Sequence, residues 1–309
     1  MTDAAPLFTD IARAPKGGRA QWRICSDGVR IRVATWKKGT KGTILVFPGR
    51  SEFIEKYGPT VQYILDMGFS AAVVDWRGQG ISDRISANHQ LGHVKHFLDY
   101  QKDVDEVLNT VKDAGLPDIH TLLSHSMGGT IALRALHNGL QVKKTVFSAP
   151  MWGIYIEPVL RIPAQIISNI GPLIGFARKF SPNTTPNNYV QENPFETNTL
   201  TNDKETYQWM ISQLNAHPEL GIGGPSINWL HQALLECARL RRLPPPEHDC
   251  LCLLGSQEAI VSPNAINRIM AEWTNGKLVS IDGAQHEVLM EIPDVLDFTW
   301  AEIDRFLSS

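Results

Sequence analysis

Ser124-His125-Ser126-Met127-Gly128 is the stretch of sequence that decides the predicted fold. The residues before it, 119–123, have the pattern of a short buried strand, and those after it, 129–136, have the pattern of a helix. A serine between a strand and a helix lies on a tight, strained turn that exposes its hydroxyl at the top of a sheet. Small residues are needed two positions to either side, because strand and helix approach closely there, and this stretch has serine and glycine at those positions. It therefore predicts a nucleophile elbow with Ser126 at its apex.

Strands and helices alternate along much of the chain. Asp27-Gly28 is a hairpin-turn signal between the first two predicted strands, at 21–26 and 30–36. From Thr43 onward, buried strands alternate with helices, which is typical of an α/β fold with a mostly parallel central sheet and helices on both faces. The later predicted strands lie at 43–47, 70–75, 143–148, 249–254 and 277–281, and the predicted helices at 53–67, 94–114, 263–273 and 292–307.

This alternation is interrupted over residues 151–247, which have long helical patterns and many prolines. We therefore expect a core formed by residues 1–150 and 248–309, with a helical lid inserted between them. The first part of the insertion, Ile154–Phe180, is strongly apolar, but its prolines and glycines argue against a membrane-spanning helix. Its apolar face is expected to pack on the core. A compatible second role is left open, in which the lid lines an acyl pocket and makes transient contact with a membrane surface.

Three polar residues occur in the chain order that a Ser-acid-His triad requires in this type of fold. A serine hydroxyl needs a base within hydrogen-bond reach, and the base needs a carboxylate that orients it. Glu258 and His286 each follow one of the last two predicted strands. Functional residues of open α/β sheets lie outside the carboxyl ends of the strands. We therefore predict Ser126 as nucleophile, Glu258 as acid and His286 as base, with Asp282 and Asp249 left open as alternatives for the acid.

The same chemistry needs two backbone N–H groups that stabilise an oxyanion. One is expected from Met127, the residue after the predicted nucleophile. The other is expected from the loop after the strand at 43–47, where Gly49 permits close backbone approach and the Arg50 amide is the natural donor. The Arg50 side chain is expected to face solvent or to pair with Glu52, and contact with an anionic group of the substrate is the alternative.

The composition argues against several other functions. The chain has 309 residues and a formal net charge of -3, and it has no basic footprint for nucleic acid. The first thirty residues resemble neither a signal peptide nor an anchor, so a reducing, cytoplasmic location is expected. No metal or organic cofactor is expected. The cysteines lack the spacing of metal ligands and are expected to be buried thiols: Cys25, Cys237, Cys250 and Cys252.

Four motifs of the chain are similar to those of one known family. They are Phe47–Glu52, which matches an oxyanion loop, Asp75–Ser82, which matches D-x-R-G-x-G-x-S, Ser124–Gly129, which matches a G-H-S-M-G-G elbow, and Gly283–Glu287, which matches a histidine loop. The chain resembles the monoglyceride lipase and bacterial lysophospholipase group of α/β-hydrolases, also called the serine aminopeptidase superfamily. The likeness extends from about Arg19 to Leu307.

Three positions depart from the pattern of this family. Ser124 replaces the glycine of the elbow, and Glu258 stands where the family usually has Asp. Pro48 replaces the commoner histidine before the glycine of the oxyanion loop, as in the bacterial lysophospholipase branch. The first two departures bear on catalytic efficiency, and the third bears on the substrate.

The resemblance implies an α/β-hydrolase fold with a helical lid, and hydrolysis of a carboxylic ester that carries an acyl chain, through an acyl-enzyme. A lysophospholipid or a monoacylglycerol is the expected substrate. Two alternatives remain: a peptidase of the same fold, with Glu157 or Glu219 anchoring an α-amine, and a non-catalytic α/β-hydrolase that binds a ligand. The family roles of nucleophile, acid, base and oxyanion amides carry over to Ser126, Glu258, His286, Arg50 and Met127.

Overall fold

A single sheet of nine strands runs through the part of the chain that the structure describes. The structure is a computed structural model, which describes residues 3–157, 159 and 167–309. The order of the strands in the sheet is β1-β2-β3-β5-β4-β6-β7-β8-β9. Their bounds are β1 (Ala4–Ala5), β2 (Arg19–Ile24), β3 (Arg30–Trp36), β4 (Thr43–Phe47), β5 (Ser70–Asp75), β6 (Ile119–His125), β7 (Lys144–Ser148), β8 (Asp249–Gly255) and β9 (Gly276–Ile281).

The parallel strands form the larger part of this sheet. β4 pairs in parallel with β5 and with β6, and parallel pairing continues through β7 and β8 to β9. The first three strands pair in antiparallel fashion, and β3 joins the parallel part through β5. Every residue of β4 and β5 is buried, as expected for strands that are covered on both faces. The predicted mostly parallel α/β sheet is confirmed.

Helices cover both faces of the sheet. Alternate strand residues point to opposite faces, and the core accordingly divides into one cluster with Leu45 and Phe47 and another with Ile44 and Val46. The α-helices whose two ends both lie in the described residues are α1 (Gly58–Asp66), α2 (Tyr100–Asp113), α3 (Met127–His137), α4 (Tyr189–Glu192), α5 (Lys204–Ala216), α6 (Ile227–Leu240), α7 (Pro263–Glu272) and α8 (Pro293–Ser308). Side chains of α2, α3 and α7 belong to the first cluster, and side chains of α1 and α8 belong to the second.

Several boundaries differ from the predicted ones. The helix predicted from Val94 begins at Tyr100, after a short 3-10 turn at Phe97–Asp99. The helix predicted from Phe53 starts as a 3-10 turn and becomes α-helical only in α1, whose first turn contains Pro59. Proline lacks an N–H and is suited to that first turn. β1 was not predicted, because a strand of two residues has no periodicity.

The chain between β7 and β8 packs on both clusters of the core. Met210 of α5 belongs to the second cluster, and Trp229 of α6 belongs to the first. Part of the apolar segment predicted at 154–180 lies outside the described residues. No helix in the described ranges combines the length and the apolar character needed to cross a membrane.

A buried ion network fixes the loop that follows β5. The Arg32 guanidinium lies 2.7 Å from carboxylate oxygens of both Glu55 and Asp75, and all three side chains are fully buried. The Asp75 carboxylate also accepts the backbone N–H groups of Ile54 and Ile81, at 2.8 and 3.1 Å. Asp75 thereby joins β3, the loop after β4 and its own loop.

We expect Arg32→Ala to lower the free energy of unfolding by about 3–5 kcal/mol, because it leaves two buried carboxylates without their cation. Arg30→Ala is the matched control in the same strand, since Arg30 forms a half-exposed pair with Asp83, and its cost is expected to be about 1 kcal/mol or less. Urea denaturation followed by circular dichroism measures both values. Equal losses for the two variants would contradict this account.

Candidate active site

The backbone at Ser126 has the strained geometry of a nucleophile elbow. Ser126 connects β6 to α3 with φ 49° and ψ -118°, a combination that residues other than glycine rarely adopt. A Cβ atom at Gly128 would lie 2.0 Å from the carbonyl oxygen of Phe47. The first turn of α3 therefore approaches β4 as closely as glycine permits. The strand, turn and helix predicted around Ser126 are all present.

Glu258 and His286 form a hydrogen-bonded pair in the loops after β8 and β9. His286 Nδ1 lies 2.7 Å from Glu258 Oε2, and both side chains are almost fully buried. Glu258 Oε1 accepts the backbone N–H groups of Ile260 and Val261, at 2.6 and 2.9 Å. Burial acts to raise the pKa of Glu258, but the hydrogen bond and charge of His286 and the two amides hold that pKa below its usual value. An ionised carboxylate at Nδ1 fixes the tautomer and orientation of the ring.

The two alternative acids lie away from His286. Asp282 is exposed, and its carboxylate lies 3.5 Å from the Ser256 hydroxyl. Asp249 is exposed at the start of β8, whereas Glu258 follows the end of that strand. Of the three carboxylates that the sequence left open, Glu258 is the one that contacts His286.

Ser126 and His286 line the same cavity, which has a volume of about 280 Å³. Because Glu258 occupies Nδ1 of the ring, Nε2 is the nitrogen that can act as a base. No hydrogen bond within the described ranges joins this ring to the Ser126 hydroxyl, and such bonds often form only with substrate present. Much of the remaining wall is apolar and comes from the chain between β7 and β8: Met151, Ile154, Val190, Leu200, Met210 and Leu214.

Two backbone amides are free at the positions predicted for the oxyanion hole. The Gly49 N–H is accepted by the Glu52 carboxylate, and the Ser51 N–H is accepted by a glutamine side chain. The N–H of Arg50, between them, donates no hydrogen bond within the described part of the chain, and neither does that of Met127. Met127 begins α3, and free N–H groups at the start of a helix favour a negative charge.

The Arg50 side chain is half-buried and bonds to Ser51 and Gly223, which corrects the expectation that it faces solvent or pairs with Glu52. Its Nη1 donates to Ser51 Oγ and its Nη2 to the Gly223 carbonyl, both at 2.6 Å. The guanidinium lies 5.5 Å from the centre of the Trp229 ring. Burial lowers the pKa of Arg50 to about 10. The sequence did not predict these contacts, because Gly223 lies 173 residues away along the chain.

A cluster of buried titratable residues, called the charge cluster below, lies beside these groups, and it consists of Glu52, Lys56, His125 and Glu287. The Lys56 ammonium contacts Glu52 and lies 2.6 Å from Glu287 Oε1. His125 Nε2 lies 3.4 Å from Glu287 Oε2. The possible ligand atoms of Glu52, His125 and Glu287 lie within 4.8 Å of one another, and the cation between the two carboxylates is Lys56. In the sequence, only the four-residue spacing of Glu52 and Lys56 signals this charge cluster.

Comparison with known proteins gives the family. A sequence model of the family described as serine aminopeptidase, S33, matches residues 38–293, which is most of the chain. The chain belongs to this family. The resemblance to the α/β-hydrolases of the lysophospholipase and monoglyceride lipase group is thereby confirmed.

This S33 family member is similar to two named lysophospholipases and to a solved lipase structure, in each case over most of both chains. Probable lysophospholipase L2 of Haemophilus influenzae is 28% identical over 267 residues, which cover 86% of this chain and 83% of the relative. Lysophospholipase L2 of Escherichia coli (strain K12) is 27% identical over 275 residues, which cover 86% of this chain and 80% of the relative. A soluble variant of monoglyceride lipase from Saccharomyces cerevisiae has the same fold, with a TM-score of 0.74, 18% identity and 98% of both chains covered.

Ser124 and Pro48 stand at two of the departures from the S33 motifs. The Ser124 hydroxyl is buried and has no hydrogen-bond partner among the described residues, so the serine adds no polar contact to the elbow. The Pro48 carbonyl accepts the indole N–H of Trp76 at 2.9 Å. This bond ties the oxyanion loop to the loop after β5.

We expect Glu258→Gln to lower kcat by about 10³–10⁴-fold, because an amide does not hold the His286 tautomer or stabilise the imidazolium. Asp282→Asn is the control, and its kcat is expected to stay within about threefold of the wild type. Both values are measured on a p-nitrophenyl ester with variants whose folding is verified by circular dichroism. A larger loss for Asp282→Asn than for Glu258→Gln would assign the acid to Asp282 instead.

Proposed function

We propose that this S33 family member hydrolyses carboxylic esters with an acyl chain, and that its substrates are lysophospholipids or monoacylglycerols. One observation carries the proposal: a single cavity joins Ser126 and His286 to a largely apolar wall. An acyl chain buried against such a wall is stabilised by about 0.8 kcal/mol per CH₂ group. The names of the relatives, lysophospholipase L2 and monoglyceride lipase, support the same substrate class.

The first half of the proposed reaction forms an acyl-enzyme. Ser126 Oγ attacks the ester carbonyl carbon while His286 Nε2 takes the hydroxyl proton. Glu258 holds Nδ1 and stabilises the imidazolium. The amides of Arg50 and Met127 donate to the oxyanion of the tetrahedral intermediate. When the carbon–oxygen bond breaks, the imidazolium gives its proton to the leaving alcohol, which is glycerol or the headgroup portion of the lysolipid.

The second half releases the fatty acid. A water molecule attacks the acyl carbonyl, and His286 accepts its proton as it did from the serine. The same two amides stabilise the second oxyanion. Collapse of this intermediate breaks the bond to Ser126 Oγ, which recovers its proton from the imidazolium.

We further propose that residues 151–247 act as a lid on a core of residues 1–150 and 248–309. Two helices of this segment support the proposal, because Met210 of α5 and Trp229 of α6 both line the cavity. A lid that supplies the apolar wall selects substrates by acyl length and excludes water from the reacting carbonyl.

Transient contact of the lid with a lipid surface is part of the same proposal. Three apolar side chains close together in the segment, Leu173, Ile174 and Phe176, are 84%, 61% and 49% exposed. Exposed apolar patches of this kind mark interaction surfaces. A cytoplasmic location stays a prediction.

Among the residues that the structure describes, the two carboxylates considered for the peptidase alternative are poorly placed to anchor an α-amine. Glu157 is exposed and does not line the cavity, and Glu219 is exposed beside His217 in a different depression. The carboxylates that do line the cavity, Glu52 and Glu287, already contact Lys56.

The proposal is tested by comparing the wild type with Ser126→Ala. A fluorophosphonate probe is expected to label the wild type and not the variant. In a series of p-nitrophenyl esters and natural lipids, kcat/KM is expected to rise with acyl length. Lysophospholipid hydrolysis is expected to accelerate above the critical micelle concentration if the lid contacts lipid surfaces.

Three outcomes of this experiment would contradict the proposal. Preference for acetate-sized esters would remove the acyl-chain claim. Release of N-terminal amino acids from peptides, without ester cleavage, would favour the peptidase. Retention of a lipid by a folded wild type that neither reacts with the probe nor hydrolyses any ester would favour the non-catalytic reading.

A further inference from the structure

The charge cluster contacts the oxyanion loop through Glu52. One oxygen of this carboxylate, Oε2, accepts the Gly49 N–H and, at 2.5 Å, the Tyr57 hydroxyl. Gly49 directly precedes Arg50, whose amide is a proposed oxyanion donor. The orientation of a peptide unit is set by its neighbours on both sides, since the backbone has only two soft torsions per residue. Because the Ser51 N–H is also held, by the Gln79 side chain, the contact of Glu52 with the Gly49 N–H restricts the direction of the Arg50 amide between them.

The cluster reaches the nucleophile and the base as well. Glu287 directly follows His286, and His125 directly precedes Ser126. The rings of His125 and His286 lie with their centres 4.7 Å apart. His125 Nδ1 lies 3.1 Å from both the carbonyl oxygen and the hydroxyl of Ser148, at the end of β7. Glu287 and His125 are thus sequence neighbours of the proposed base and nucleophile. Glu52 contacts Gly49, the sequence neighbour of Arg50.

Lys56 joins these contacts into one unit. Its ammonium lies between Glu52, in the loop after β4, and Glu287, in the loop after β9. All members of the cluster are at most 6% exposed. Burial acts to lower the pKa of Lys56, but the two carboxylates raise it above its usual value. Burial acts to raise the pKa of Glu287, but the charges of Lys56 and His125 hold it well below its usual value. The ammonium and the carboxylate therefore each favour the ionised form of the other.

We propose that Lys56 is a positioning residue for the reaction. Its ammonium connects the loop after β4 to the loop after β9, and it thereby holds the Arg50 amide and His286 at a fixed separation across the cavity. This inference rests on the proposed function, because the groups that Lys56 positions are the proposed catalytic groups. A misplacement of about 1 Å in such a group costs roughly 10²-fold in rate.

The test uses a charge-balanced double variant, Lys56→Met with Glu287→Gln. Lys56→Met alone leaves two carboxylates buried without their cation, which is strongly destabilising, whereas the double variant removes one charge of each sign. On a p-nitrophenyl ester, kcat of the double variant is expected to fall by about 10²-fold, with KM within about threefold of the wild type. Lys56→Arg keeps a cation between the carboxylates and is expected to retain kcat within about tenfold.

Arg23→Met with Glu106→Gln is the matched control. This pair, at 3.0 Å, joins β2 to α2 and has side chains 12% and 17% exposed. The control variant also removes one cation and one anion, at a site outside the cavity. Its kcat is expected to stay within about threefold of the wild type. The Lys56→Met/Glu287→Gln variant leaves the buried Glu52 carboxylate without its cation and is expected to melt below the control variant. The kcat values are therefore compared at a temperature at which circular dichroism shows both double variants folded.

The inference is overturned if the folded Lys56→Met/Glu287→Gln variant turns over as fast as the control variant. If that variant does not fold, the inference is tested with Glu52→Gln. This change replaces one carboxylate oxygen with an NH₂ group and leaves the size of the side chain almost unchanged. We expect Glu52→Gln to lower kcat by about tenfold or more at unchanged KM, and an unchanged kcat would overturn the inference. Failure of the wild type to hydrolyse any ester is a different result, since it contradicts the proposed function itself.

Discussion

The close approach of α3 to β4 is the constraint on which the site depends. A Cβ atom at Gly128 would lie 2.0 Å from the Phe47 carbonyl oxygen and 2.6 Å from that of Pro48. The chain can enter the helix at this distance only through a sharp turn, and Ser126 accordingly has a positive φ. The same approach places the first turn of α3, with the free Met127 N–H, against the loop that contains the free Arg50 N–H.

The parallel sheet supplies the remaining groups, because the carboxyl ends of its strands meet at one edge. Glu258 and His286 follow β8 and β9 and pair there. Around them the structure buries two further carboxylates, Glu52 and Glu287, next to the elbow. Burying charges without partners is costly, and the ammonium of Lys56 between the two carboxylates offsets that cost while linking their loops. Stability and the proposed catalytic geometry therefore involve the same contacts.

The sequence predicts those parts of the molecule that local patterns determine. The elbow, the mostly parallel sheet and the loop positions of Glu258 and His286 follow from periodicity, turn residues and chain order. The start of α2 was predicted too early, because the apolar residues Val94, Phe97 and Leu98 have the i, i+3, i+4 spacing of a helix. The contact of Arg50 with Gly223 and that of Lys56 with Glu287, 231 residues apart, depend on tertiary packing. No local pattern encodes them.

The central claim is that Ser126 carries the acyl group during turnover. Its most direct test is acid quenching of the wild-type protein during hydrolysis of a long-chain p-nitrophenyl ester, followed by mass spectrometry of the intact protein and its peptides. The account predicts one acyl group per protein, on the peptide that contains Ser126. An acyl group on any other residue would contradict it.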